Sequence, residues 1–133
     1  MVEQNHEYYV SLEIAKLLEK AGFDWSCRGY YDRQTLRFNF VWDHNGKGAS
    51  TQCSAPTLDV AQRWLREVKG IHICVKPNEA SSNCKYFVTV IVNDTKWGNI
   101  QDDNRKTIMF DTYEEAQEAG IKKALEMILE KGE

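Results

Sequence analysis

The pattern of apolar and polar positions alternates between helix-like and strand-like spacing along the chain, and one stretch fits neither. Lys85-Tyr86-Phe87-Val88-Thr89-Val90-Ile91-Val92 is a run of strand-forming residues without polar alternation, the pattern of an inner strand with apolar groups on both faces. Tyr86, Val88, Val90 and Val92 share one face, and Phe87, Thr89 and Ile91 the other. If helices cover only one face, the second is exposed, or is covered by the following polar segment or by a second subunit.

The other elements organise around this run. Ser11 is placed as an N-cap, Ile14, Leu17, Leu18 and Ala21 recur at helical spacing, and Gly22 closes a first helix. Cys27-Arg28-Gly29-Tyr30-Tyr31 reads as a strand weakened by its glycine. After a turn at Asp32-Arg33-Gln34, the alternation predicts a second strand with Leu36, Phe38, Phe40 and Trp42 on its buried face. Asn45-Gly46 suits a type I′ turn into a return strand through Ala49, Thr51 and Cys53. Thr57 then caps a second helix with Leu58, Ala61, Trp64, Leu65 and Val68 inward, ended by Gly70.

Ile71, Ile73 and Val75 alternate with His72, Cys74 and Lys76, and the polar stretch 77–83 turns this strand back into the Lys85 run as a hairpin. Asn93 to Lys106 reads as a polar loop, Thr107-Ile108-Met109-Phe110 as a short last strand, and Thr112-Tyr113-Glu114-Glu115 as a capping box opening the third helix. In that helix Ala116, Ala119 and Gly120 allow close approach to the sheet. Ser11, Thr57 and Thr112 begin similar helix-start patterns, which the shared chemistry of helix starts explains without a duplicated unit.

These elements predict one α+β domain over residues 1–133, with 1–9 a polar leader. It has three helices and a single antiparallel, or mostly antiparallel, sheet of about five strands, in the order α-β-β-(β)-α-β-β-β-α.

Composition narrows the class. At 133 residues, with 42% apolar and 28% charged residues, the chain can bury a core without disulfide or metal support. Seventeen basic and twenty acidic side chains leave a formal charge of -3, so no long-range field gathers phosphates, and nucleic acid is a disfavoured partner. The polar start and the lack of a window of about 18 apolar residues predict neither a signal peptide nor a membrane span, hence a cytoplasmic protein without a membrane partner. Cys27, Cys53, Cys74 and Cys84 show no metal-ligand spacing and are expected to be reduced and packed, so no metal and no cofactor is expected.

Candidate chemistry is sparse. The Asp43 to Thr51 stretch resembles a phosphate loop, but Val41 and Gly48 stand where that loop needs a glycine and a hydroxyl. His72 and Cys74 share a strand face without a group to orient the histidine, so no catalytic constellation is recognised and no enzyme is expected. The second helix, three strands and last helix follow the order of double-stranded-RNA-binding domains, yet Glu114, Glu115 and Glu118 occupy the place of their phosphate-holding lysines. Trp97 stands in the polar segment with Ile100, where the ring either folds over the core edge or serves as a contact anchor. Arg28, Tyr30 and Arg37, with Arg33, form a basic and aromatic first hairpin.

The stretch Ser11 to Phe23, the block Ser54-Ala55-Pro56-Thr57 with Ala61-Gln62-Arg63-Trp64-Leu65-Arg66-Glu67-Val68, and Thr112 to Ala116 with Glu118 to Ile121 resemble a family of small uncharacterised proteins of gut bacteria and their phages or mobile elements. That resemblance implies an accessory protein binding a host or phage protein, and it supplies no site residues. The expectation is therefore a non-enzymatic binding module with a protein partner or self-association, contacting it through Trp97, Ile100 or an open sheet face. The alternative is weak nucleic-acid binding by Arg28, Tyr30 and Arg37.

Overall fold

The computed structural model describes residues 8–44, 52–79, 85–92 and 96–131. Its elements are α1 (Leu12–Ala21), β1 (Cys27–Asp32), β2 (Phe38–His44), β3 (Gln52–Ser54), α2 (Leu58–Lys69), β4 (Ile71–Pro77), β5 (Tyr86–Val92), β6 (Lys96–Asn99) and α3 (Tyr113–Lys131). The fold is α+β with three helices, but its strands form two antiparallel sheets, β2-β1-β3 and β4-β5-β6, in place of the single sheet expected. Alternation in a strand fixes which residues share a face, not which strands become neighbours. Here the two sets of strands pack on different helices. α1 meets β3 and α3, whereas α3 and α2 cover β4, and α3 also covers β5.

The helix boundaries follow the local chemistry. Ser11 and Thr57 accept hydrogen bonds from the N–H groups of Ile14 and Val60, and Gly22 and Gly70 end their helices at φ 101° and 70°. At α3 the Thr112 hydroxyl accepts from the Glu115 N–H at 3.0 Å, while the Glu115 carboxylate reaches one residue further back than a capping box requires, to the Asp111 N–H at 3.2 Å. Gly120 lets α3 lie directly on the second sheet: a Cβ there would stand 2.7 Å from methyl groups of both Ile73 and Val88. The inward stripe of α2 stops one turn short of the helix end, since Val68 is half exposed.

The long hairpin has the expected register, from Ile71 opposite Val92 to Pro77 opposite Tyr86. β6 arises inside the segment read as a loop, pairing Asn99 with Thr89 and Trp97 with Ile91. Backbone pairing along the open side of β5 needs no apolar pattern, so sequence periodicity gives no sign of this strand. The expected strand at 107–110 is reduced to isolated bridges, Gln101 with Thr107 and Tyr86 with Phe110.

The first sheet is less regular. Its central strand is β1, and the return strand β3 pairs with β1 in place of β2, Tyr31 opposite Cys53. Burial decides this: Cys53, Ala55 and Pro56 are completely enclosed. The expected Asn45-Gly46 turn lies outside the described residues. Gly29 is a packing requirement, because a Cβ there would sit 2.6 Å from both the Ala55 carbonyl oxygen and the Phe38 ring. Leu36, expected on the buried face, is 57% exposed at the hairpin tip with φ 62°, where its N–H bonds to the Asp32 carbonyl at 2.7 Å. The Asp32 carboxylate accepts from the Thr35 and Gln34 N–H groups, and these bonds hold its pKa below the usual value.

Candidate functional site

Among the described residues two surfaces stand out as able to contact something outside the chain. The first is the face of the β4-β5-β6 sheet turned away from the helices. Val88, Val90 and Val92 belong to the core with Ile71 and Ile73, but Phe87 and Ile91, half-buried, stand outside the residues packed against that core. The register places Lys76 opposite Phe87, Cys74 opposite Thr89 and His72 opposite Ile91. Thr89 donates to Asn99 Oδ1 at 2.5 Å, and Asn99 Nδ2 donates to Thr107 at 3.3 Å, so the polar side chains between the two apolar groups are tied into a ladder within the sheet. His72 and Cys74 sit on this face two residues apart, and among the described residues no third side chain holds the histidine in a catalytic orientation. Among the described residues no group of three or more His, Cys, Asp or Glu side chains is arranged to hold a metal ion.

The second surface is a cleft of about 360 Å³ where the N-termini of α2 and α3 meet, lined by Tyr8, Thr57, Leu58, Asp59, Tyr113, Glu114 and Gln117. Gln117, only 2% exposed, forms its inner wall. Its Nε2 donates at 2.8 Å to both Asp59 Oδ1 and Gln62 Oε1, and Gln62 Nε2 donates at 2.8 Å to the Ile73 carbonyl. This chain of bonds ties α3 through α2 to the outer edge of β4, where a carbonyl would otherwise lack a partner. The tyrosines are at the rim, Tyr8 and Tyr113 both exposed. The sequence carries no sign of this cleft: Asp59 is spaced four from Arg63, as for an exposed ion pair, and Gln117 interrupts no apolar period. In the structure Arg63 bonds to Glu67 at 3.0 Å.

The residues singled out from the sequence divide between the two sheets. Arg28 is exposed and Tyr30 half-buried on β1, while Arg37 is exposed just before β2. Trp97 lies on β6, its side chain outside what the structure describes, and Ile100 is partly buried against the core. The hairpin's charge is partly spent within the fold: Arg33 pairs with Glu19 at 2.5 Å and also donates to the Gln52 carbonyl at 3.2 Å. Cys27, Cys53 and Cys74 form no disulfide bond. Burial raises the pKa of the Cys53 thiol to about 11, which makes it a poor nucleophile. Cys84, His6 and the phosphate-loop-like stretch from Asn45 to Thr51 lie outside the described residues. Among the described residues no helix is long and apolar enough to cross a membrane.

No protein-family model, curated protein or solved structure matches the chain.

Proposed function

We propose that this chain is a non-enzymatic protein-binding module that docks through the outer face of its β4-β5-β6 sheet. The observation that carries the reading is the position of Phe87 and Ile91, two large apolar side chains on the central strand that do not pack on the core. Lys76 sits exposed beside Phe87. An apolar centre with a basic margin suits a partner protein whose own patch is apolar with a carboxylate at its edge. A second copy of the chain brings the same lysine to the contact, which makes it the weaker candidate. The Asn93 to Lys106 segment contributes through β6, whose residue 97 lies across from Ile91.

The double substitution Phe87→Ser with Ile91→Ser tests the proposal. If the face is a docking surface, stability falls by no more than about 2 kcal/mol for the two half-buried side chains, short of the cost of truncating a core. A partner identified by cross-linking to the wild-type protein then loses at least tenfold in affinity when titrated against the purified variant. A loss of about 3 kcal/mol or more would show that these side chains belong to a core and end the reading. Concentration-dependent sedimentation of the wild type, abolished by the substitutions, would replace the heterologous partner with a second copy.

A further inference from the structure

We propose that the cleft between the N-termini of α2 and α3 binds an organic cation, a guanidinium or ammonium group. The argument begins with the orientation of the Gln117 amide, which its neighbours determine. The Ile73 carbonyl can only accept, so Gln62 turns its NH₂ to that oxygen and its Oε1 to Gln117. Gln62 Oε1 and Asp59 Oδ1 are both acceptors, so Gln117 gives its NH₂ to them. Its own Oε1 is then directed away, and among the described residues no donor reaches it. No fully buried side-chain oxygen or nitrogen there lacks a partner, so this oxygen keeps a little exposure, and the cleft is the opening that Gln117 lines. A side chain 98% enclosed thus keeps one strong acceptor for something that enters from outside, the exposed fraction being 2%.

The rest of the lining agrees with a donor that carries positive charge. Asp59 and Glu114 are carboxylates, Tyr8 and Tyr113 present aromatic rings at the rim, and no Lys, Arg or His is among the lining residues. The two helix N-termini oppose a cation, each with about half a positive charge, but two full carboxylates outweigh them by about one unit. Ring faces favour a cation with an organic body over a bare metal ion, and a guanidinium or ammonium supplies several N–H donors to separate acceptors. A volume of about 360 Å³ admits the end of one basic side chain or a small amine.

The experiment titrates the full chain with N-acetyl-arginine amide, N-acetyl-lysine amide and spermidine, with N-acetyl-citrulline amide as the uncharged control, following the Gln117 side-chain amide by NMR. The expected result is saturable binding of at least one cationic probe in the millimolar range or tighter, and at least tenfold weaker binding of citrulline. Asp59→Asn with Glu114→Gln keeps an acceptor for Gln117 while removing both charges, and should weaken the cationic probe at least tenfold with the fold intact. Tighter binding of spermidine than of either amino-acid amide makes the ligand a free amine, and the reverse order makes it a basic side chain of a partner protein. The proposal is overturned if no cationic probe perturbs the cleft, if citrulline binds equally well, or if the neutral double variant binds unchanged. Phe87→Ser with Ile91→Ser should leave this binding as it is, so the cleft and the sheet face can fail separately.

Discussion

The two sheets have three strands each, yet they are held by different means. In β4-β5-β6 the long hairpin pairs seven residues with seven in an unbroken register and packs its Ile and Val side chains beneath α3. In β2-β1-β3 the register shifts between Cys27 and Gly29, β3 has three residues, and one face carries a set of rings that runs out to the surface. Phe38 lies 4.9 Å from Tyr9, 5.3 Å from the buried Tyr31 and 5.0 Å from Phe40, which is 43% exposed and not on a buried face as its alternation suggests. A regular sheet distributes its stability over many similar contacts, so single changes cost modest amounts. An irregular sheet concentrates it at a few positions that tolerate no addition.

The sharpest test of this contrast is alanine at one glycine in each sheet contact. At Gly29 the new methyl would meet the Ala55 backbone carbonyl oxygen and the end of the Phe38 ring, both 2.6 Å away. While the ring can shift, the carbonyl cannot move without disturbing the Ala55 N–H bond to the Gly29 carbonyl that continues the β1–β3 pairing. Gly29→Ala should therefore cost about 3 kcal/mol, at the upper end for overpacking. At Gly120 the methyl meets only side-chain methyls of Ile73 and Val88, at 2.7 Å. Replacing a helix-interior glycine also recovers about 1 kcal/mol of helix propensity, so Gly120→Ala should cost about 1 kcal/mol net. Urea unfolding of the two variants measures the difference, and equal losses would remove the contrast.

The same contrast explains what could be read from the sequence. Ser11, Thr57, Gly22, Gly70 and the Ile71 to Val92 hairpin are determined by neighbours along the chain, through caps, αL turns and alternation, and they lie where those signals place them. Gly29 gave the opposite impression, of a weak strand, because the Ala55 carbonyl and Phe38 ring that require it are brought there by the fold. The pairing of β3 with β1, the strand β6 and the separation into two sheets likewise depend on long-range burial and backbone pairing without a periodic signature. For the candidate surfaces, the second apolar face of β5 was visible as an uninterrupted run. The cleft was not, since an aspartate, a glutamine and a tyrosine at helix starts have ordinary capping or surface roles until two helices bring their ends together.

A smaller effect is expected at the tie between the first sheet and the segment before α1. The buried Tyr31 hydroxyl donates to the Val10 carbonyl at 2.8 Å, and burial first, then the Glu118 and Cys53 charges, raise its pKa to about 12. Tyr31→Phe should cost about 1 to 2 kcal/mol near neutral pH, the worth of one hydrogen bond plus an acceptor left without its donor. The pH dependence has a definite sign. An unfolded tyrosine ionises near pH 10, while the folded one keeps its proton until about pH 12. Folded protein thus binds more protons than unfolded protein in that window, and stability falls as the pH rises through it. Tyr31→Phe should flatten the decline between those limits when unfolding is followed at alkaline pH. An unchanged slope would show that the hydroxyl is exposed in solution.

The smallest effect is expected at the hairpin tip, and it has the opposite sign. Leu36 holds φ 62°, a left-handed conformation that costs a residue with a Cβ about 1 to 2 kcal/mol. No evident packing gain compensates, because the side chain is 57% exposed. Glycine removes the clash but adds freedom to the unfolded chain worth about 0.5 to 1 kcal/mol, so Leu36→Gly should stabilise by only about 0.5 kcal/mol. Asparagine adopts the left-handed region readily without that entropy cost, so Leu36→Asn should gain slightly more, near 1 kcal/mol or about 3 °C in Tm. The order asparagine, glycine, leucine distinguishes backbone strain from lost packing: if both substitutions destabilise, Leu36 makes a contact in solution that outweighs its conformation. If the predicted order holds, the irregular sheet carries strain at its tip as well as tight packing at its centre, whereas the described residues of the regular sheet's long hairpin contain no positive-φ position.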